Sequence, residues 1–189
     1  MVVYGATGPD SRKLARELLA LAAAERWRLS PLPALARSEH GKPYFPDRPD
    51  CRFNWSHSGP LALCALGETP VGADVQVVKA WRPGLPARVC GPEELAWLED
   101  QPDRWAAFTA LWALKESRAK YTGRGLTVPI RSISVPLPRP GTTLLSREGL
   151  WFRLYAGSDW RAAVCADFPP PPEILWRALP PKGGAPHGP

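Results

Sequence analysis

Apolar positions change their spacing several times along this chain. Residues 2–6 (VVYGA) make a short apolar run suited to a strand. From Ser11 to Trp27 the period becomes helical, through Leu14, Leu18 and Leu21, and Asp10 or Ser11 stands where a helix cap is needed. Residues 29–52 are broken by five prolines and Gly41 and read as turns. Residues 61–66 (LALCAL) are continuously apolar, as in a buried strand, and 71–78 (VGADVQVV) form a second strand candidate. Two helices follow, over 92–100 with Pro92 in the first turn and over 102–121, the latter ended by Gly123 or Gly125. Strands are predicted at 128–135, 150–155 and 161–168, the last two joined by a Gly157-Ser158-Asp159 turn. Four prolines at 169–172 precede a short amphipathic piece at 174–179 that packs back on the body, then a flexible tail at 180–189 containing His187, which gets no role.

This order predicts an α+β protein of two halves meeting near residue 70, with no sequence repeat between them. The length and a 44% hydrophobic composition are enough for real cores. The formal charge of +6 favours anionic partners. The four cysteines include no CxxC pair, which argues against zinc and for a reducing, cytoplasmic setting. Residues 12–24 superficially resemble a secretion signal, but Glu17 interrupts them. No apolar run is long enough for a membrane helix.

Three clusters stand out. In VGADVQ, strand alternation puts Asp74 and Gln76 on one face, either a plain polar surface or a hard-cation site completed by water and phosphate oxygens. Glu116 and Lys120 lie one helical turn apart, with Trp112 a turn earlier. They are either a surface ion pair worth roughly 0.2–0.5 kcal/mol, or a metal-binding or basic carboxylate beside a phosphate-neutralising lysine. Arg104, Lys115, Arg118, Lys120, Arg124, Arg131 and Arg139 have Glu116 as their only acidic companion in that stretch, which favours the second reading. Ser56, His57 and Ser58 are expected in a turn before the buried strand, as structural hydrogen-bonding residues or as phosphate contacts. Neighbouring Ser and His do not supply a hydrolase triad, and Gly41-Lys42-Pro43 lacks the glycine spacing of a P-loop.

Taken in order, Gly41-Lys42-Pro43, Phe53-Asn54-Trp55-Ser56-His57-Ser58-Gly59, Val71-Gly72-Ala73-Asp74 and Trp112-Ala113-Leu114-Lys115-Glu116-Ser117-Arg118-Ala119-Lys120, continuing to Gly123-Arg124-Gly125-Leu126, resemble the Sfp-type 4′-phosphopantetheinyl transferases. The resemblance implies a pseudo-twofold monomer of two α+β halves, residues 1–69 and 70–168, with a Pro-rich extension at 169–189. It implies coenzyme A as co-substrate in the cleft between the halves, Mg²⁺, and an apo acyl or peptidyl carrier protein as partner, with neither nucleic acid nor membrane. Asp74, Gln76 and Glu116 would hold the metal. Glu116 and Lys120 would be catalytic. Arg12, Lys42, Pro43, Ser56, His57, Asp74 and Lys120 would contact coenzyme A: Lys42 and Pro43 its adenine end, Arg12, Ser56 and His57 its phosphates.

Two departures bear on this. Gln76 stands where the family usually has a second carboxylate, and the stretch before the first helix is short, leaving Arg12 and Lys13 for the 3′-phosphate. Two rival readings remain open. One is a family member that binds coenzyme A without transfer. The other is a nucleic-acid or anion-binding module that uses the tryptophans for stacking.

Overall fold

The computed structural model describes residues 1–125 and 127–179. Leu126 and the proposed tail at 180–189, with His187, lie outside the described residues. Strand β1 (Val2–Thr7) leads into α1 (Ser11–Trp27), a small hairpin of β2 (Ala36–Arg37) and β3 (Pro43–Tyr44), and the long hairpin of β4 (Arg52–Ser58) and β5 (Leu61–Gly67). Strand β6 (Val71–Val77), helices α2 (Leu85–Val89), α3 (Pro92–Glu99) and α4 (Arg104–Thr122), then β7 (Leu144–Arg147), β8 (Leu150–Ala156) and β9 (Trp160–Ala166) follow. The short β10 (Leu175–Trp176) ends the described chain's regular structure. The α+β class is as expected.

The strands form two four-stranded sheets, ordered β10-β1-β5-β4 and β6-β9-β8-β7. In each, an early strand is followed by a long helix and then by a hairpin whose second strand pairs antiparallel with the early one: β1 with β5, and β6 with β9. Helix α1 covers the first sheet through Leu14, Leu18, Leu19 and Ala22, against Phe45, Phe53 and Cys64. Helix α4 lies on the second sheet through Phe108, Leu111 and Leu114, against Phe152 and Cys165. Val3, Leu61 and Leu63 of the first sheet meet Val71, Ala73, Val75 and Val164 of the second in a third core between the sheets.

The long helices start and stop where their ends are satisfied. Asp10 accepts from the Lys13 amide at 3.1 Å and Asp103 from the Ala106 amide at 2.9 Å. Gly123 closes α4 in the left-handed region at φ 69°. The four cysteines are buried and unbridged.

Two expected elements differ. Residues 128–135 contain no strand; they form a 3₁₀ turn at Ile130–Ser132. The Lys115 ammonium draws in the carbonyls of Ile130 and Ile133, at 3.3 and 2.8 Å, so they are unavailable to a sheet. Ser56, His57 and Ser58 lie in β4, not in a turn, paired with Leu63, Ala62 and Leu61. The turn is Gly59-Pro60, with Gly59 at φ 54°. The piece at 174–179 does pack back, and does so as β10, parallel to β1, with Tyr4 opposite Leu175 and Gly5 opposite Trp176.

What positions α4 is a glycine. A Cβ on Gly72 would sit 1.9 Å from the Ser117 carbonyl oxygen and 2.4 Å from the Tyr121 amide. Backbone atoms of helix and strand therefore touch with no side chain between them. Gly72→Ala must push α4 off the sheet. The expected loss is about 3 kcal/mol, the upper end for overpacking, read from the denaturant midpoint. A midpoint equal to wild type would mean the close approach is dispensable.

Candidate active site

Asp74 and Gln76 project from the face of β6 over which α4 crosses, and Gly72 lets the helix approach. Glu116 and Lys120, one turn apart, are thereby laid beside the Asp74 carboxylate. Asp74 is 1% exposed, and both its oxygens are engaged. Its Oδ1 accepts from Lys120 Nζ at 2.6 Å and from Ser56 Oγ at 2.7 Å. Its Oδ2 accepts from the Gln76 amide nitrogen at 3.0 Å. Lys120 also donates to Ser56 Oγ at 3.1 Å and to the Ala73 carbonyl at 3.2 Å.

Lys120 thus pairs with Asp74 rather than with Glu116. Glu116 has no ion pair or side-chain hydrogen bond among the described residues. Burial raises its pKa above the ordinary carboxylate value, the nearby Asp74 charge raises it further, and Lys120 partly offsets both. Two carboxylates that repel each other in a half-buried place, bordered by an amide, are a hard-oxygen donor set suited to Mg²⁺. Asp74 and Glu116 have the chemistry such an ion takes, with Asp74 Oδ1 held by Lys120 and Ser56 in this structure. Gln76 turns its nitrogen toward Asp74 and its Oε1 toward Ser58 Oγ, at 3.5 Å, so its oxygen does not face the carboxylate pair.

The residues expected at the phosphates fall on two sides. Ser56 is buried, and its hydroxyl is held between Asp74 and Lys120. It orients the carboxylate instead of facing an open anion site. His57 emerges near the start of α1, with Ser11 Oγ 3.5 Å from its Nδ1. Burial lowers its pKa first, then Arg12 and Lys120. Asp10 and Asp74 act the other way, so the Arg12 and Lys120 charges reach the His57 ring only partly opposed, and the lowered pKa favours its neutral form.

Lys42 and Pro43 line a cavity of about 400 Å³ with Tyr44, Phe53, Pro70 and Gly123. A second recess of about 240 Å³ continues along Arg37, Trp55 and Lys120. The Lys42 ammonium is turned inward. It donates to the carbonyls of Val71 at 3.0 Å, Lys120 at 2.5 Å and Tyr121 at 3.3 Å, tying β6 to the end of α4. Burial, and secondarily Arg52, bring its pKa down to about 8. It is the Lys42 stem, not the charge, that borders the cavity.

Two of the cations that flank Glu116 in the sequence are neutralised by carboxylates from elsewhere. Lys115 is fully buried against Glu94 at 2.9 Å, and Arg118 pairs with Glu148 at 2.6 Å. Sequence reasoning also passed over Asn54, whose Oδ1 accepts from the Ala73 amide at 2.8 Å, next to Asp74. The signal was present: Asn54, Ser56 and Ser58 alternate with Phe53, Trp55 and His57 at strand period.

A family model of the 4′-phosphopantetheinyl transferase superfamily matches residues 70–167. The chain is 36% identical over 160 residues to a 4′-phosphopantetheinyl transferase of Bacillus subtilis, covering 80% of this chain and 71% of that protein. It is 34% identical over 144 residues to the 4′-phosphopantetheinyl transferase Sfp of Bacillus subtilis (strain 168), covering 72% and 64%. It is 39% identical over 116 residues to the 4′-phosphopantetheinyl transferase AcpT of Salmonella typhi, covering 58% and 59%.

The strain on Glu116 has a measurable sign. With its folded pKa above the unfolded value, the native state holds that proton more tightly, and stability falls as pH climbs from the unfolded value through the raised one. Glu116→Gln, which cannot ionise, is therefore expected to melt above wild type at neutral pH. The gap closes near about pH 4, where the wild-type carboxyl is protonated in both states. A variant that melts at or below wild type at neutral pH would show that the two carboxylates do not oppose each other.

Proposed function

Since the chain belongs to the 4′-phosphopantetheinyl transferase superfamily, on its Sfp-like side, we propose that it moves the 4′-phosphopantetheine arm of coenzyme A to a serine hydroxyl of an apo acyl or peptidyl carrier protein. The observation that supports this reading is Asp74 on the strand and Glu116 on the helix close enough to feel each other's charge, with Lys120, one turn after Glu116, bound to Asp74. In this reading residues 1–69 and 70–168 are two halves of a pseudo-twofold monomer that hold coenzyme A between them, and 169–189 is an extension.

Asp74 and Glu116 would hold a Mg²⁺ ion, and Gln76 would reach it through a water or support Asp74 from behind. Bound there, the ion would supply positive charge against the diphosphate. Arg12 and His57 face the 3′-phosphate, while the Lys42 stem and Pro43 border the adenine end. Lys120 stabilises the diphosphate oxygens. Glu116, directly or through one water, takes the proton of the carrier serine. Its raised pKa brings it nearer the range in which a general base works at neutral pH. The serine oxygen bonds to the phosphorus that bears pantetheine, and the bond from that phosphorus to the bridging oxygen breaks. 3′,5′-ADP departs with that oxygen, and Glu116 later returns its proton to solvent. Charge spread over cations, more than covalent chemistry by the protein, lowers the barrier.

Mass spectrometry of an apo carrier incubated with the protein, coenzyme A and Mg²⁺ tests the proposal. The expected result is a phosphopantetheine adduct, with Glu116→Ala at least about 100-fold slower. Coenzyme A binding without transfer would instead leave a binding protein. Nucleic-acid binding with a steep salt slope and no coenzyme A binding would leave an anion-binding module. In the same assay Gln76→Glu, restoring a second carboxylate on β6, is expected to lower the Mg²⁺ concentration for half-maximal rate by about tenfold, a coupling of ordinary size. An unchanged requirement would remove Gln76 from the metal site.

A further inference from the structure

We propose that Lys120 is a movable counter-ion. It holds the Asp74 carboxylate until coenzyme A binds and then passes to the diphosphate, so that cation and diphosphate occupy the site as a coupled pair. The inference rests on the reading of Asp74 and Glu116 as cation ligands.

Coordination space is the first argument. A carboxylate can ligate a metal only through an oxygen that is not already committed. Asp74 Oδ1 already takes two donors and Oδ2 a third, and the strongest of them is itself a cation, 2.6 Å away. A divalent ion approaching Asp74 meets a like charge in the place it must take. The Lys120 ammonium is meanwhile satisfied by Asp74, Ser56 and the Ala73 carbonyl, three acceptors for three donors. Nothing drives it away until a better acceptor arrives.

The second argument is that Lys120 has somewhere to go. Three lysines converge here, and two are fixed. Lys115 is fully buried, bound to Glu94 and two carbonyls. Lys42 is inserted among three backbone carbonyls. The Lys120 side chain is 28% exposed and lines the recess of about 240 Å³ that runs past Arg37 and Trp55; the Lys42 stem lines it too, but its ammonium is tied to backbone carbonyls. The four-carbon stem of Lys120, on the last turn of α4, can swing there without moving the helix. A diphosphate offers it more negative charge than Asp74 does, and its departure frees Oδ1.

Two consequences follow. The free protein should bind divalent cations poorly although it carries two close carboxylates. Coenzyme A should strengthen cation binding by more than its own phosphate oxygens supply.

Mn²⁺ serves as the probe, titrated by electron paramagnetic resonance into the full chain without coenzyme A. Lys120→Met is expected to bind Mn²⁺ about tenfold more tightly than wild type, and Lys120→Arg, which keeps the charge, as weakly as wild type. Calorimetry without metal should show coenzyme A binding to Lys120→Met about tenfold more weakly. Lys120→Gln, which keeps a hydrogen-bonding group at Asp74, gives the same comparison if the methionine variant melts early. The proposal is overturned if the uncharged variants bind Mn²⁺ no better than wild type, if neither form binds it, or if coenzyme A affinity is indifferent to the substitution. Failure of the transferase reading looks different: wild type would then bind no coenzyme A, whatever Mn²⁺ does.

Discussion

A sheet edge enclosed within a protein must find partners for its backbone, and β6 has such an edge. One side of the strand is paired with β9. The other faces β4, which belongs to the other sheet and offers side chains in place of a ladder. The Ala73 and Val77 amides donate to Asn54 and Ser58, and the carbonyls of Val71 and Ala73 accept from Lys42 and Lys120. An unsatisfied buried backbone group costs about 1–3 kcal/mol, so this lattice is a structural necessity before it is a functional one. Because the partners are side chains, they bring hydroxyls, an amide and two ammonium groups to the line where the sheets meet. The polar character of the site follows from the way the two sheets are joined.

The same economy governs the cations. Lys42, Lys115 and Lys120 lie within a small region around α4, and each has a different task set by its acceptors. Lys42 closes the helix end, where carbonyls and the helix dipole favour a cation. Lys115, opposed by Glu94, pins the chain between α4 and β7 in a turn and so keeps it from forming another strand. Lys120 faces Asp74. Sequence proximity of basic residues therefore overstates the field at the site, and their hydrogen-bond partners decide it.

The parts of the fold written in local periodicity were legible from sequence: α1, α3, α4, and the apolar strands β5, β6, β8 and β9. The parts set by distant partners were not. β4 was hidden because its inward face is Asn54, Ser56 and Ser58, polar residues whose partners lie on β6. The segment around Ile130 reads as a strand by composition, yet a buried ammonium 15 residues upstream claims its carbonyls. At the site, Asp74 and Gln76 sharing a face and Glu116 and Lys120 sharing a helical turn follow from geometry. That the lysine answers to the aspartate across 46 residues does not, because the contact of Gly72 with the Ser117 backbone and the Lys42 bridge from β6 to the helix end set that register. Likewise the inward turn of the Lys42 ammonium needed the helix end as an acceptor.

β10 joins the first sheet on the open side of β1, and its surroundings hold it from both halves. Tyr155 and Arg153 grip the carbonyls of Pro171 and Pro170, Trp176 lies edge-on to Trp160, and Arg177 pairs with Glu25 on α1. On a ribosome β1 emerges well before β10. The first sheet then waits for a strand made some 170 residues later, after the whole second sheet has been synthesised. The first sheet cannot reach its final form as an early, self-contained unit, and the open edge of β1 persists until β10 has been made.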